Sequence, residues 1–221
     1  MIGYHGVNQG GVAVFDAVIF DLDGTLIDTE RLAMAATIAA FEAMGHQIDI
    51  DFLLGLVGKD MPTGERLIAA RYPVLDLADL DLRVASAMQL ELASGMPLKA
   101  GVRELLAQIS QPKAIVTSSS HKNALRKVAQ AGLTVDFVHL ITLDDVSRAK
   151  PAPDPYLLAA QLLGVTPARC LVFEDSEVGA EAAHTAGMHV VQVPDLVPSQ
   201  GRFAHHLADD LLSGARAAGL I

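Results

Sequence analysis

The sequence predicts an α/β fold: a parallel sheet with helices on both faces and an inserted helical unit. Three observations lead there. Short apolar runs alternate with helical patterns over most of the chain, which is how βα units read. Several runs are apolar throughout, as strands covered on both faces are. The stretch between Thr29 and Leu98 breaks that alternation, carrying helical patterns alone.

The first strand is expected over Ala13–Asp21, where Ala17-Val18-Ile19-Phe20 gives way to Asp21-Leu22-Asp23-Gly24-Thr25. Residues two apart on a strand share a face, so both acids should leave its carboxyl end on one side. Open parallel sheets bind ligands at that end. Carboxylates this close repel unless a cation or a shared proton relieves them.

Next come Met34, Ile38, Phe41 and Met44 on one helical face, then helical stretches over Thr63–Tyr72 and Leu77–Ala93. A βα crossover needs only about thirty residues in all. Residues 29–98 therefore read as a small helical domain placed to close over the acids and exclude water. Further strands are expected at Ala114–Ser118, His139–Thr142, Cys170–Glu174 and His189–Val193. A helix over Lys122–Ala131 stops at Gly132; Asp154 caps another that begins with Pro155 and ends near Gly164; Thr166-Pro167 repeats the start signal. The abundant helical alanines reflect helix propensity. The apolar segment from Leu211-Leu212 to Leu220-Ile221 is expected to pack on the chain's own core, giving a monomer.

Composition narrows the function. Sixteen basic against twenty-six acidic residues give a net charge of −10, which offers nothing to a nucleic-acid backbone. No apolar run is long enough to cross a bilayer, so no membrane is expected. Residues 1–11 lack a basic start and an apolar stretch, and read as a loose extension instead of a signal peptide. The single cysteine, Cys170, excludes an internal disulfide, suits a reducing cytoplasm, and reads as a small buried strand residue. Gly58-Lys59 is followed by Asp60, so no phosphate-binding loop of the Walker type is present, nor any G-x-G-x-x-G. The histidines lack zinc-ligand spacing, and His205-His206 reads as a polar helix face.

Three polar clusters follow the later strands. Thr117-Ser118-Ser119-Ser120 is a hydroxyl-rich turn into a helix, able to cradle a phosphate or simply to cap. Lys150 sits in the proline-stiffened loop Lys150-Pro151-Ala152-Pro153-Asp154. Glu174-Asp175 is a second acid pair at a strand end, and with Asp21 it makes an all-oxygen site of the kind Mg²⁺ prefers.

Together these clusters resemble the four motifs of the haloacid dehalogenase-like hydrolases. Asp21-x-Asp23-x-Thr25 matches the first, Ser118 the second, Lys150 the third and Glu174-Asp175 the fourth. The surroundings match too, in Glu174-Asp175-Ser176-x-x-Gly179-x-x-Ala182-Ala183-x-x-Ala186-Gly187-Met188. The resemblance implies a Rossmann-like core over 12–28 plus 99–221 and an α-helical cap over 29–98. The subgroup is that of phosphoglycolate phosphatases, sugar phosphatases and β-phosphoglucomutase.

By that resemblance Asp21 is the nucleophile and Asp23 the general acid and base. Mg²⁺ is held by the Asp21 carboxylate, the Asp23 backbone carbonyl and Asp175, with Glu174 direct or through water. Lys150 and Ser118 steady the transferring phosphoryl group, and Thr25 with the amides of Leu22 and Ser119 completes the cradle. The substrate class implied is a small phosphorylated metabolite. The paired acid Asp23 points to phosphoryl transfer, since true dehalogenases lack it. The alternative is a phosphosugar mutase, but Ala33 and Gly58 stand where mutases carry a histidine and an arginine. Lys59 and Lys99 are candidate contacts from the cap side. A catalytically idle binding protein is disfavoured by the four intact motifs.

Overall fold

The computed structural model describes residues 15–57, 61–93 and 95–221. The expected extension over 1–11, and Gly58 and Lys59, lie outside the described residues.

In chain order the elements are β1 (Ala17–Phe20), α1 (Thr29–Ala43), α2 (Ile50–Leu54), α3 (Met61–Arg71), α4 (Leu77–Leu92), α5 (Val102–Gln108), β2 (Lys113–Val116), α6 (His121–Gln130) and β3 (His139–Ile141). Then follow α7 (Asp154–Leu163), β4 (Cys170–Glu174), α8 (Glu177–Thr185), β5 (His189–Gln192), β6 (His206–Leu207) and α9 (Leu211–Ala217). The six strands form one sheet in the order β3-β2-β1-β4-β5-β6, each pair parallel. This is the Rossmann-like order, in which β1 lies centrally and the chain crosses to either side of it.

Alternation along the strands builds two cores. Val18, Phe20, Ile115, Leu171 and Phe173 face one layer, shared with α5, α6 and α9. Ala17, Ile19, Val116, Cys170 and Val172 face the other, shared with α7 and α8. Phe20 stacks on Phe173 at 5.0 Å between ring centres and meets Phe137 edge-on at 5.8 Å. Burying each such ring stabilises by about 1.5–3 kcal/mol. The alanines do more than favour helix. Ala159, Ala160, Ala180, Ala182 and Ala183 are buried against the sheet, where a larger residue would hold α7 and α8 away.

Residues 28–97 leave and rejoin this core through one neck. Ile27 and Leu98 form an antiparallel bridge, the Asp28 N–H donates to the Pro97 carbonyl, and the Lys99 N–H donates to that of Leu26. Within the excursion, α1 packs on α4, and Ala40, Phe41, Leu75 and Leu80 make a separate small core. No strand occurs among its described residues beyond that bridge. Phe41 and Met44 of the expected stripe join that small core, whereas Met34 lines a pocket with Glu30 and Val57.

Several expectations need correction. Asp154 is the first residue of α7, not its cap; Pro153 holds that position, and the Asp154 carboxylate meets Arg148. Thr166-Pro167 starts only a single 3₁₀ turn, Pro167–Arg169, because β4 begins at the next residue. His205-His206 is no helix face: His206 opens β6, a two-residue strand too short to show a period. The C-terminal segment does pack on the core, with Leu211, Ala215 and Ala218 buried. Cys170 is buried too, and burial pushes its thiol up to about 11. No described helix is long and apolar enough to cross a membrane.

Candidate active site

The site forms where β2, β1 and β4 end side by side. Asp21 follows β1 directly and is buried. Glu174 closes β4 and is 0% exposed, and Asp175 follows it. Lys150 reaches in from the loop before α7. Its Nζ donates to Asp21 Oδ1 at 2.6 Å, Glu174 Oε1 at 2.6 Å and the Val116 carbonyl at 3.0 Å, so one ammonium ties three strand ends together. The Lys150–Pro151 peptide bond is cis.

Glu174 is fully engaged. Oε1 also accepts from the buried Tyr156 hydroxyl at 2.7 Å, and Oε2 accepts from the Ser176 N–H and hydroxyl. Two glycines make room for these acids. A Cβ on Gly179 would lie 1.7 Å from Glu174 Oε1, and one on Gly24 would lie 2.4 Å from Asp175 Oδ2. Gly24 also has a φ of +87°, which side-chain-bearing residues rarely adopt.

The electrostatics are unbalanced. Asp21, Glu174 and Asp175 each offer an oxygen within 4.8 Å of the others. Burial first, reinforced by Glu174 and opposed by Lys150, pushes Asp21 up to about 8. Burial, then Asp21 and Glu174, pushes Asp175 up to about 9. Burial disfavours the Lys150 ammonium, but Asp21 and Glu174 outweigh it and raise its pKa. Three carboxylates against one cation leave a deficit that a hard divalent ion would fill. The chemistry of the donor set therefore fits Mg²⁺.

Asp23 stands apart from this cluster. The strand ends at Phe20, so the two-residue periodicity no longer governs where Asp23 points. Its carboxylate accepts from Thr29 at 2.8 Å, from Ser119 at 3.0 Å, and from Lys127 Nζ at 2.7 Å to each oxygen. At the side chains each acid meets its own lysine, Lys150 for Asp21 and Lys127 for Asp23. Ser118 is exposed at the end of β2, and Ser120 occupies the N-cap of α6 without a capping bond from its side chain. Leu22 is buried, its carbonyl accepting from the N–H groups of Leu26 and Ile27.

Thr25 lines a cavity of about 280 Å³ with Asp28, Lys99 and Asp195, and its hydroxyl has no partner among the described residues. Lys99, a candidate contact from the cap side, pairs with Asp195, whose side chain is 1% exposed. Sequence reasoning missed Thr29, Lys127 and Tyr156. Lys127 alone left a signal: it lies seven residues past Ser120, two helical turns along the same face.

A family model for haloacid dehalogenase-like hydrolases matches residues 15–187. The chain belongs to that family. This hydrolase is 35% identical over 187 residues to the fructose-1-phosphate phosphatase of Escherichia coli (strain K12), covering 81% of this chain and 96% of that one. It is also 35% identical over 181 residues to hexitol phosphatase A of the same organism, covering 79% and 81%. Among solved structures, a Thermotoga maritima protein provisionally described as a β-phosphoglucomutase superposes with a TM-score of 0.74 at 30% identity, over 87% of this hydrolase and 94% of that chain.

Proposed function

We propose that this hydrolase is a Mg²⁺-dependent phosphatase that cleaves one phosphate ester of a small sugar-like metabolite through an aspartyl-phosphate on Asp21. The observation that carries the reading is the buried Asp21–Lys150–Glu174 arrangement with Asp175 beside it. Relatives that act on fructose 1-phosphate and hexitol phosphates support the substrate class.

In this reading an Asp21 oxygen attacks phosphorus in line, and the bond from phosphorus to the ester oxygen breaks. Asp23 delivers a proton to that departing oxygen. It then takes a proton from the water that attacks the aspartyl-phosphate, and the bond from phosphorus to Asp21 breaks. Lys150 holds Asp21 in place and offers positive charge to the phosphoryl oxygens, while the hydroxyl of Ser118 and the amide of Leu22 offer hydrogen bonds. Asp21, Asp175 and the Asp23 carbonyl would hold Mg²⁺, with Glu174 behind them. That ion supplies charge neutralisation that lets two anions meet.

Residues 12–28 plus 99–221 form the catalytic core in this reading, and residues 29–98 the cap. Hydrolysis is favoured over mutase chemistry because Ala33 supplies neither a base nor a cation. The test is phosphate release from sugar monophosphates and an aryl phosphate with Mg²⁺, abolished by EDTA and by Asp21→Asn. A folded enzyme that is inactive on the whole panel defeats the proposal. Bisphosphate-dependent conversion of glucose 1-phosphate to the 6-phosphate would establish the mutase instead.

A further inference from the structure

One core side chain grips both limbs of the neck. Asp195 lies three residues past β5, in a loop tied to the end of β4. There the Val193 N–H donates to the Glu174 carbonyl at 2.7 Å, and the Gln192 side-chain amide to that of Asp175 at 3.2 Å. The Asp195 side chain is 1% exposed, and its Oδ1 faces two cations. Lys99 Nζ, on the returning limb, donates to it. Arg31 Nε, in the first turn of α1 on the outgoing limb, stands 3.7 Å away and also lies 3.4 Å from Asp28 Oδ2. The turn so held carries Thr29, whose hydroxyl donates to Asp23 at 2.8 Å. It also carries Glu30, half-buried between Thr29 and Arg31; burial first, then the charges of Asp195 and Asp23, raise its carboxyl. Like charges thus crowd this turn against the core, and the two cations hold it there.

We propose that Asp195 is a positioning residue for the proton shuttle: by clasping Lys99 and Arg31 it fixes the first turn of α1, and through Thr29 it orients the Asp23 carboxylate. The inference rests on the phosphatase reading above, in which Asp23 serves the departing oxygen. A carboxylate taken out of water resists losing its cations, because withdrawing them strands a buried charge. Asp195 is fixed in turn to the strand end that bears Glu174 and Asp175, so the clasp refers the turn of Thr29 to the same frame as those acids. Thr29 is only two residues from Arg31, so a shift of that turn moves its hydroxyl directly. Displacing a proton-transfer group by about 1 Å costs up to about a hundredfold in rate. Ser119 and Lys127 reach Asp23 from α6 and the turn before it, which leaves Thr29 as the route from the clasp to that carboxylate.

The experiment is a double-mutant cycle on the full chain, with steady-state kinetics on an aryl phosphate in Mg²⁺. Asp195→Ala should lower kcat about tenfold and shift KM by less than about twofold, as loss of an interaction made in the transition state does. Thr29→Val should lose about as much. Adding Asp195→Ala to Thr29→Val should cost less than about twofold more, because the route is already cut. Asp195→Asn keeps an oxygen for Lys99 and should recover most of the loss. Thermal melts report whether each variant is folded. If Asp195→Ala is not, Arg31→Ala, at a side chain 61% exposed, runs the same cycle with a smaller loss of about threefold. A folded clasp variant with unchanged kcat, or one that loses the same factor with and without the Thr29 hydroxyl, overturns this inference while the phosphatase reading stands. An unsubstituted enzyme that turns over no phosphate ester overturns both.

Discussion

Lys127 Nζ lies 2.7 Å from both carboxylate oxygens of Asp23, so the second acid of the loop after β1 has a cation of its own. The first acid, Asp21, is held by Lys150. Two acids two residues apart thus keep separate partners from opposite sides of the sheet's end. Lys127 also donates to the Ser119 hydroxyl at 3.0 Å, which itself donates to Asp23. The carboxylate proposed to shuttle protons is therefore oriented by three groups: Thr29, Ser119 and Lys127.

Lys127→Met should lower kcat about tenfold while leaving KM for an aryl phosphate nearly unchanged, because it loosens a group that acts on the departing oxygen and not on binding. Lys127→Arg should recover part of the loss. Steady-state kinetics decide it, and a change confined to KM would count against the assignment.

Gly179→Ala should remove activity and destabilise the fold by about 2–4 kcal/mol, since the added methyl would overlap a Glu174 carboxylate that Lys150 and Tyr156 hold in place. Val178→Ala, at an exposed neighbour, serves as the control. Denaturant unfolding and phosphate release measure both effects, and a stable, active Gly179→Ala would show that this geometry is not required.

Mg²⁺ should raise the thermal midpoint, and more at pH 8.5 than at pH 6.5. Burial holds Asp21 and Asp175 up to about 8 and about 9, above their ordinary value of 3.8. Raised carboxylates keep protons that the unfolded chain releases, so stability without a cation falls as pH climbs from about 4 towards 9. A bound cation removes that penalty and adds its own mass-action stabilisation. Melting curves in EDTA and in Mg²⁺ test this, and identical midpoints at both pH values would refute it.

Acid should act through a different cluster, at the opposite end of the sheet. His189 opens β5, its ring 4.1 Å from that of His205 and 5.2 Å from that of His206. Burial, then these two neighbours, hold His189 down to about 4. The unfolded chain takes up its proton first, so this contribution is lost as pH falls from about 6.5 to 4. With partial exposure discounted, the loss is about 1–2 kcal/mol. His189→Phe should shrink the drop in thermal midpoint between pH 7 and pH 4.5, since its Nε2 has no partner to lose among the described residues. An unchanged drop would assign acid sensitivity elsewhere.

Much of this was legible in the sequence because its signals are local. The apolar runs of β1 and β4 report burial on both faces, and all four residues of β1 and all five of β4 are buried. Gly132 and Gly164 end their helices in positive-φ turns, as expected. The strand-end positions of Asp21, Glu174 and Asp175 were legible for the same reason, since each directly ends or follows an apolar run. β6 was not, because two residues paired to β5 carry no period of their own. The histidine cluster was hidden similarly: His189 and His205 are sixteen residues apart and meet only because β6 pairs with β5.

What the sequence determined by itself is the order of the chemistry: which acids, lysine and hydroxyls follow which strands, and hence the family. Those are one-dimensional facts, carried by residue type and spacing along each segment. What only the tertiary structure decided is the pairing. Lys127 lies 104 residues from Asp23, and Lys150 lies 129 from Asp21. Which lysine meets which acid depends on where the strand stops and how the helices cross the sheet, and no periodicity within one segment carries that distance. The same holds for Lys99, which pairs with Asp195, ninety-six residues away.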